Sequence, residues 1–512
     1  MGILEYLSAN LPAIAPEIGL TILAMVILLV DSYRPDAKSN IGYLAAIVMA
    51  LLAITPFIPG WSPAMGESSL KWGGMIRHDM LASIFKVMIL FAGSITSLMA
   101  VKDSAVGQKG EFYLIITIST LGASLLAASA DIVMLFVALE TVSIPLYILA
   151  GFSHSDAGSA ESGLKYFLFG SFASAILLYG LSLLFGFTGE TQLTAIAASL
   201  TSSESILGTN ILPALAALTL VIVGFGFKIS AAPFHFWTPD VYEGAPTPVT
   251  AFISVASKAA SFAVLMRFFI GVFPDAVQLD GQSVQAFWTG LITVMAVVSM
   301  TLGNVLALRQ ENMKRMLAYS SIAQAGYALV GVAALQSVDQ AVMTSAISSV
   351  AFYMFMYTFS NLLVFAGVIL FSEAAGTEKI SEYAGMQRRS PWLAVTMTIG
   401  LLSLAGIPPA AGFFGKFFLF QAAVQANLAG LAIIGVLNSI VALYYYLLVI
   451  KIMWVDPGKD EDQAIKIPAP LAWTFGITTI VVLLLGVVPA PIIGWARDGA
   501  AAVAQAVTIG LP

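Results

Sequence analysis

Apolar residues run through this chain in long uninterrupted blocks, not in the alternating or amphipathic stripes of a soluble fold. A hydrocarbon core of about 30 Å is crossed by roughly 20 such residues in a helix. A window of about 19 residues picks out fourteen blocks of that kind. They lie near 12–31, 41–59, 79–101, 111–129, 131–152, 160–187, 208–231, 247–273, 286–308, 313–334, 340–371, 391–425, 427–450 and 470–495. The pattern predicts an all-α integral membrane protein with about fourteen transmembrane helices. The eleventh and twelfth blocks are too long for one straight helix, so a tilt or a break is expected in each. The N-terminus lacks a basic region and runs into a full-length block, so it reads as a first span, not a cleaved signal.

A repeat lies under this pattern. Gly224-Phe225-Gly226-Phe227-Lys228 recurs, rearranged, as Gly412-Phe413-Phe414-Gly415-Lys416, 188 residues further on. The same offset carries spans 4–8 onto spans 9–13 to within about a dozen residues. Five helices is an odd number, so the second copy must enter the membrane from the other side. Two inverted five-helix repeats are a transporter signature, with the site on interrupted helices near mid-membrane. Glycines precede both lysines, Pro233 follows the first and Pro408-Pro409 precedes the second. Broken helices are therefore expected at spans 7 and 12. The chain divides into an N-terminal three-helix segment (1–110), a first repeat (111–273), a second inverted repeat (286–452) and a C-terminal helix and tail (453–512).

Charge sharpens the picture. Only 10% of residues are charged and mean hydropathy is +0.93, against about 25% charged in soluble domains. Of the 22 lysines and arginines, thirteen fall in loops that follow odd-numbered spans. Three (Lys71, Arg77 and Arg497) lie on the opposite side. By the positive-inside rule both termini face the periplasm. Six remain inside spans. Lys86, Lys165 and Arg267 lie within about two turns of a span end, where snorkelling to the interface is expected. Lys228, Lys258 and Lys416 lie near the middle of their blocks, as does Glu140.

A charge at the bilayer centre costs roughly 2.5–3.5 kcal/mol even on the lenient insertion scale. Anchoring a helix requires none there, so these four residues mark a candidate path for protons or ions. A desolvated ammonium releases its proton more readily, and a nearby carboxylate opposes that release. The distance from Glu140 to Lys228 would then act as a switch. Lys258 follows one span later as a relay, and Lys416 takes the repeat position of Lys228. Two lesser candidates join them. Lys165 follows Glu161 by four residues, an ordinary salt-bridging interval. His235, in the run PFHFW, titrates near neutrality and is a possible proton entry group. Glu17, in the first span, reads as structural.

Other chemistries are excluded. The absence of cysteine removes disulfides, thiolate-held iron–sulfur clusters and thiol catalysis. The three histidines fall near span ends, which argues against a haem buried in the bilayer. Gly415-Lys416 is followed by Phe417, and position 410 is alanine, so no P-loop is present. No His, Asp or Glu cluster has metal-ligand spacing. No cofactor is expected on this chain, and its surroundings are lipid and membrane partners, with no nucleic acid.

The residues also carry a resemblance. The stretch Lys228–Phe252, KISAAPFHFWTPDVYEGAPTPVTAF, continuing to Ser257-Lys258, resembles the antiporter-like subunits of respiratory complex I. Its DVYEGAPTP variant is similar to the N-type subunits, counterparts of mitochondrial NADH dehydrogenase subunit 2. The segments Glu161–Ser171 (ESGLKYFLFGS) and Asn312–Tyr327 (NMKRMLAYSSIAQAGY) support it, and the likeness covers essentially the whole chain. The chain stops short of the lateral helix of the L type, and Lys416 stands where the M type usually has glutamate.

The resemblance implies a proton-translocating membrane-arm subunit of a bacterial NADH:quinone oxidoreductase in the inner membrane. Glu140 and Lys228 would be its coupling pair, Lys258 its central relay and Lys416 the lysine of its second half-channel. Lys165 matches a sixth-span lysine of less settled role. FMN, iron–sulfur clusters and quinone would sit on partner subunits, with M-type and K-type neighbours adjoining this chain. Two rival readings share the pattern: a subunit of a multisubunit sodium/proton antiporter, and a scaffold that carries no protons.

Overall fold

The computed structural model describes residues 3–33, 38–63, 66–201, 210–458 and 463–509. Arg34 and Lys459, counted above among the loop cations, lie outside these residues, as do the first two positions of the seventh predicted span.

The chain opens with α1 (Ile3–Asn10), α2 (Ala15–Tyr33) and α3 (Lys38–Leu52). A short antiparallel hairpin, β1 (Ser68–Lys71) and β2 (Ile76–Asp79), leads into α4 (Met80–Ala100). Asp79 caps α4 by accepting from the Ala82 N–H at 2.8 Å. Next come α5 (Gly110–Ala127), α6 (Ile132–Ala150), α7 (Ala157–Thr188), α8 (Leu193–Thr201) and α9 (Leu212–Lys228). After α10 (Thr238–Gly244), α11 (Thr247–Phe252) passes through a π-helical turn, Ile253–Ser257, into α12 (Lys258–Val272). A second small hairpin precedes α13 (Val284–Ala307) and α14 (Met313–Ala333), followed by α15 (Gln340–Ala375). Then follow α16 (Met386–Arg389), α17 (Pro391–Ala405), α18 (Gly412–Gln425), α19 (Ala429–Trp454), α20 (Ala469–Val487) and α21 (Ala490–Ile509).

Among the described residues, twelve helices are long and apolar enough to cross a membrane. Two shorter apolar helices, α9 and α17, stand where the sequence predicts interruptions. The protein is a multi-span helical membrane protein. Helix α9 ends at Lys228; Ser230 takes a left-handed φ of 61°, and the chain turns before α10. Helix α17 ends at Gly406, with φ 88°. That conformation suits glycine, which has no Cβ to clash. Both breaks therefore fall where the glycine and proline pattern puts them.

The eleventh block behaves differently. Helix α15 runs unbroken for 36 residues, about 54 Å at 1.5 Å per residue. That length exceeds the hydrocarbon core, so the helix extends beyond it or tilts within it.

Burial sorts the helices into a centre and a perimeter. The segments Met80–Ala100, Thr247–Val272, Met313–Gln336 and Gln340–Ala375 are almost wholly buried. Helix α15 packs against α4, α14, α17, α18, α20 and α21. Helices α2, α3, α7 and α19 expose apolar faces such as Met25, Phe172 and Tyr444. These belong against lipid or partner chains. The polar residues of interest lie on the central helices and at the two breaks.

Candidate proton-transfer site

Lys228 is the last residue of α9 and is buried. Its ammonium donates to Ser143 Oγ at 2.6 Å and Tyr147 Oη at 3.0 Å, both on α6. The Tyr147 ring lies 5.3 Å from the same nitrogen, within cation–π range. Tyr147 meets Tyr166 edge-on, and Tyr166 stacks on Trp237 at 4.4 Å. This aromatic packing fixes the hydroxyl that receives the lysine.

Glu140 lies on the same stripe of α6 as Ser143 and Tyr147, at the spacing i, i+3, i+7. No ion pair joins it to Lys228 among the described residues. One Glu140 carboxylate oxygen is buried without a hydrogen-bond partner. Glu140 thus lies one turn along α6 from Ser143, the residue that receives the Lys228 ammonium.

Lys258 opens α12 directly after the π-helical turn. Such turns are rare and often accompany functional positions. Its ammonium donates to the Ser321 carbonyl oxygen at 3.0 Å and to the Ser321 hydroxyl, both on α14. Ser321 in turn meets the Tyr357 and Tyr242 hydroxyls at 2.9 and 3.2 Å.

Lys416 is the fifth residue of α18. It reaches back across the break to donate to the Ala405 carbonyl at the end of α17, at 3.0 Å. Its nitrogen also lies 4.6 Å from the Tyr327 ring centre. Lys228 closes the helix before its break, and Lys416 is on the helix that follows its own. Both amines nevertheless lie beside the C-terminal end of the helix before the break, where the helix dipole favours a cation.

The other buried cations are held differently. Lys86 does not snorkel. It is 5% exposed and pairs with Glu17 at 2.7 Å, and it also donates to the Ala13 carbonyl. Glu17 accepts from Ser124 as well, at 2.5 Å. Arg267 forms a bidentate pair with Asp79 at 2.6 and 2.8 Å, likewise buried. Distance from a span end misjudges both, because the carboxylates that neutralise them come from distant parts of the sequence.

Lys165 lies apart from the central line. Its side chain is 34% exposed and pairs with Asp240 at 2.5 Å and Glu161 at 2.7 Å. Arg315 joins the cluster through Asp240 and Glu243. Burial pushes Asp240 upward, but hydrogen bonds from Lys165 and Arg315 outweigh it and hold the carboxyl below its ordinary range. Glu161, Asp240, Glu243 and Arg315, though not Lys165 itself, line a cavity of about 970 Å³ that also contains Asp103, Lys314 and Glu378. Burial pushes Asp103 up to about 6, against hydrogen bonds from the Val106 and Ala105 N–H groups, and the Glu373 charge adds to the shift. His235 is half-buried in the turn between α9 and α10 and bonds to none of the three lysines. Among the described residues no group of three or more His, Asp or Glu could hold a metal ion.

Residues 129–442 match the membrane-spanning family model of the NADH:quinone oxidoreductase/Mrp antiporter type. A relative in Trichlorobacter lovleyi, NADH-quinone oxidoreductase subunit N, is 42% identical over 96% of this chain and 96% of its own length. The chain belongs to the subunit N family of NADH:quinone oxidoreductases. Within that family it is also 43% identical to NAD(P)H-quinone oxidoreductase subunit 2 of Thermosynechococcus vestitus, over 93% of this chain and 88% of the relative. A chain of respiratory complex I from Thermus thermophilus superposes with TM-score 0.76 at 28% identity, covering 94% of this chain and all of that one. The Mrp complex of Dietzia shares the fold at TM-score 0.81 and 19% identity, covering 99% of this chain and 100% of that one. A subunit N chain is part of a proton-translocating oxidoreductase.

Proposed function

We propose that Lys228, Lys258 and Lys416 carry protons through this subunit, with Glu140 setting the proton affinity of Lys228. One observation carries the reading. All three amines are buried and bonded only to hydroxyl, carbonyl and aromatic groups. A hydroxyl both donates and accepts, so it can serve ammonium and neutral amine alike. A carboxylate would hold the lysine charged. Quinone reduction elsewhere in the complex would shift Glu140 along the α6 face, and the lysines would then release and take up protons in turn. Moving one charge against 100 mV costs about 2.3 kcal/mol, less than two pKa units at 1.36 kcal/mol each. A change of partner at a buried amine supplies that much. Lys165 and His235 are assigned to the entry side, where Lys165 holds Glu161 and Asp240 of the cavity wall.

The architecture is read as fourteen spans in two inverted repeats, α5–α12 and α13–α19, flanked by residues 1–110 and 453–512. The parallel order supports it: each half has a long third helix, of 32 and 36 residues, followed by an interrupted fourth. Both termini are read as periplasmic, in a bacterial inner membrane, a reading that the distribution of loop cations supports. M-type and K-type subunits are the proposed neighbours, and FMN, iron–sulfur clusters and quinone belong to partner chains. The test is Lys228→Ala in an assembled, reconstituted complex. Proton pumping is expected to fall at least tenfold, the order of one shifted pKa unit. Undiminished pumping would leave the scaffold reading standing.

A further inference from the structure

Between Lys258 and Lys416 runs one face of α14, carrying Ser320, Ser321, Gln324 and Tyr327 at helical spacing. Ser321 receives Lys258 at one end, and the Tyr327 ring lies over Lys416 at the other. Opposite, α15 presents Tyr357 and Tyr353, four residues apart. Two rungs cross from helix to helix: Ser321 to Tyr357, and Gln324 to Tyr353.

Gln324 is 2% exposed and fully engaged. Its Nε2 donates to the Leu404 carbonyl at 3.0 Å and to Tyr446 Oη at 3.2 Å. Its Oε1 accepts from the Tyr353 hydroxyl. Leu404 immediately precedes Ala405, whose carbonyl holds Lys416. A carbonyl oxygen only accepts, so the amide end facing Leu404 must be the NH₂. The amide therefore has a single orientation. Tyr353 must point its proton at Gln324. Tyr446 accepts from the amide and also contacts the Ser320 hydroxyl, a bond that either group can donate.

We propose that Gln324 is a positioning residue of the proton path, an amide whose fixed orientation sets the direction of the hydroxyl hydrogen bonds between Lys258 and Lys416. This rests on the lysine reading above. A neutral amide carries no proton, so transfer runs over the hydroxyls beside it. A proton passes from the Lys258 ammonium to Ser321 Oγ while Ser321 gives its own hydroxyl proton to Tyr357 and Tyr357 releases its own to a transient water, leaving Lys258 neutral. One positive charge moves and no electrons do. The rungs are one helical turn apart, about 5–6 Å between Cβ atoms, so one transient water completes the crossing. Through Leu404, Gln324 also fixes the end of α17 that holds Lys416.

The experiment measures proton pumping and NADH-driven turnover in proteoliposomes of the assembled complex, as a function of pH. The variants are Gln324→Leu, Gln324→Glu and Lys416→Ala. Gln324→Leu is expected to reduce pumping about five- to tenfold, the order for a buried partner left unpaired. Gln324→Glu is expected to pump at low pH, where a protonated carboxyl still donates and accepts, and to lose pumping as the carboxyl ionises. Parental pumping by Gln324→Leu with a parental pH profile would overturn the proposal. So would a Gln324→Glu variant impaired equally at every pH, which is the mark of a merely structural role. If Gln324→Leu fails to assemble, the pH profile of Gln324→Glu decides alone. Parental pumping by Lys416→Ala would instead overturn the lysine reading itself.

Discussion

Two sets of buried cations share this molecule. Lys86 on α4 and Arg267 on α12 are each matched to a carboxylate, Glu17 and Asp79 respectively. Lys228, Lys258 and Lys416, on α9, α12 and α18, are matched to hydroxyls, carbonyls and a ring face. Burial is the same in both sets, at 5% exposure or less for all five. The partner differs, and it decides what the cation does. A carboxylate fixes the charge and ties helices together. A neutral partner leaves the charge costly, which is tolerable for a group that must give it up.

The sharpest test of this contrast breaks a matched pair. Lys86→Leu leaves Glu17 buried and unpaired and is expected to destabilise the subunit by about 3–5 kcal/mol. Complex yield after mild detergent extraction reads this out. Replacing both partners, as in Glu17→Gln with Lys86→Met, is expected to restore the yield, because two neutral groups need no counter-charge.

A second test converts one set into the other. Ser143→Asp puts a carboxylate where Lys228 now meets a hydroxyl at 2.6 Å. An opposite charge that close favours the charged form of its partner by roughly one to three pKa units. Pumping is expected to fall at least tenfold in a complex that still assembles; an unaltered rate would remove the distinction between the two sets. Next in size is Gly406→Ala. The added Cβ would lie 3.1 Å from Lys416 Cδ on a backbone at φ 88°, costing roughly 1–2 kcal/mol. Slower pumping with little loss of assembly is the expected result.

The smallest effects belong to the cavity and the ion pairs beside it. Lys165→Ala removes a partly exposed pair and is expected to cost less than about 1 kcal/mol, with a nearly parental rate. Asp103 gives a pH test. Its folded-state pKa of about 6 lies above its unfolded value, so the folded chain binds more protons between the two. Stability is expected to fall as pH rises through that window. Thermal unfolding of Asp103→Asn in detergent should lose this slope.

Much of this was legible in the sequence, and the gaps have physical causes. The helical blocks and both breaks follow from hydropathy and from the glycines and prolines beside Lys228 and Lys416. Charge at mid-span found the three central lysines. Their partners escaped the same filter, because Ser143, Tyr147, Ser321 and Tyr327 are uncharged. The polar face of α14 was present in the run YSSIAQAGY, where Ser320, Ser321, Gln324 and Tyr327 recur at helical spacing. The π-helical turn before Lys258 has no marker, since Ile253–Ser257 contains neither proline nor glycine. Lys86 was misjudged because depth along its own helix says nothing of a carboxylate about 70 positions away in sequence.

The most direct test compares one member of each set by the same readout. The proton-to-electron ratio of the reconstituted complex is measured for Lys258→Ala and for the double variant Glu17→Gln with Lys86→Met. The account predicts a reduced ratio or stalled turnover for Lys258→Ala and a parental ratio for the double variant. A parental ratio for Lys258→Ala, or a loss confined to the double variant, would contradict it.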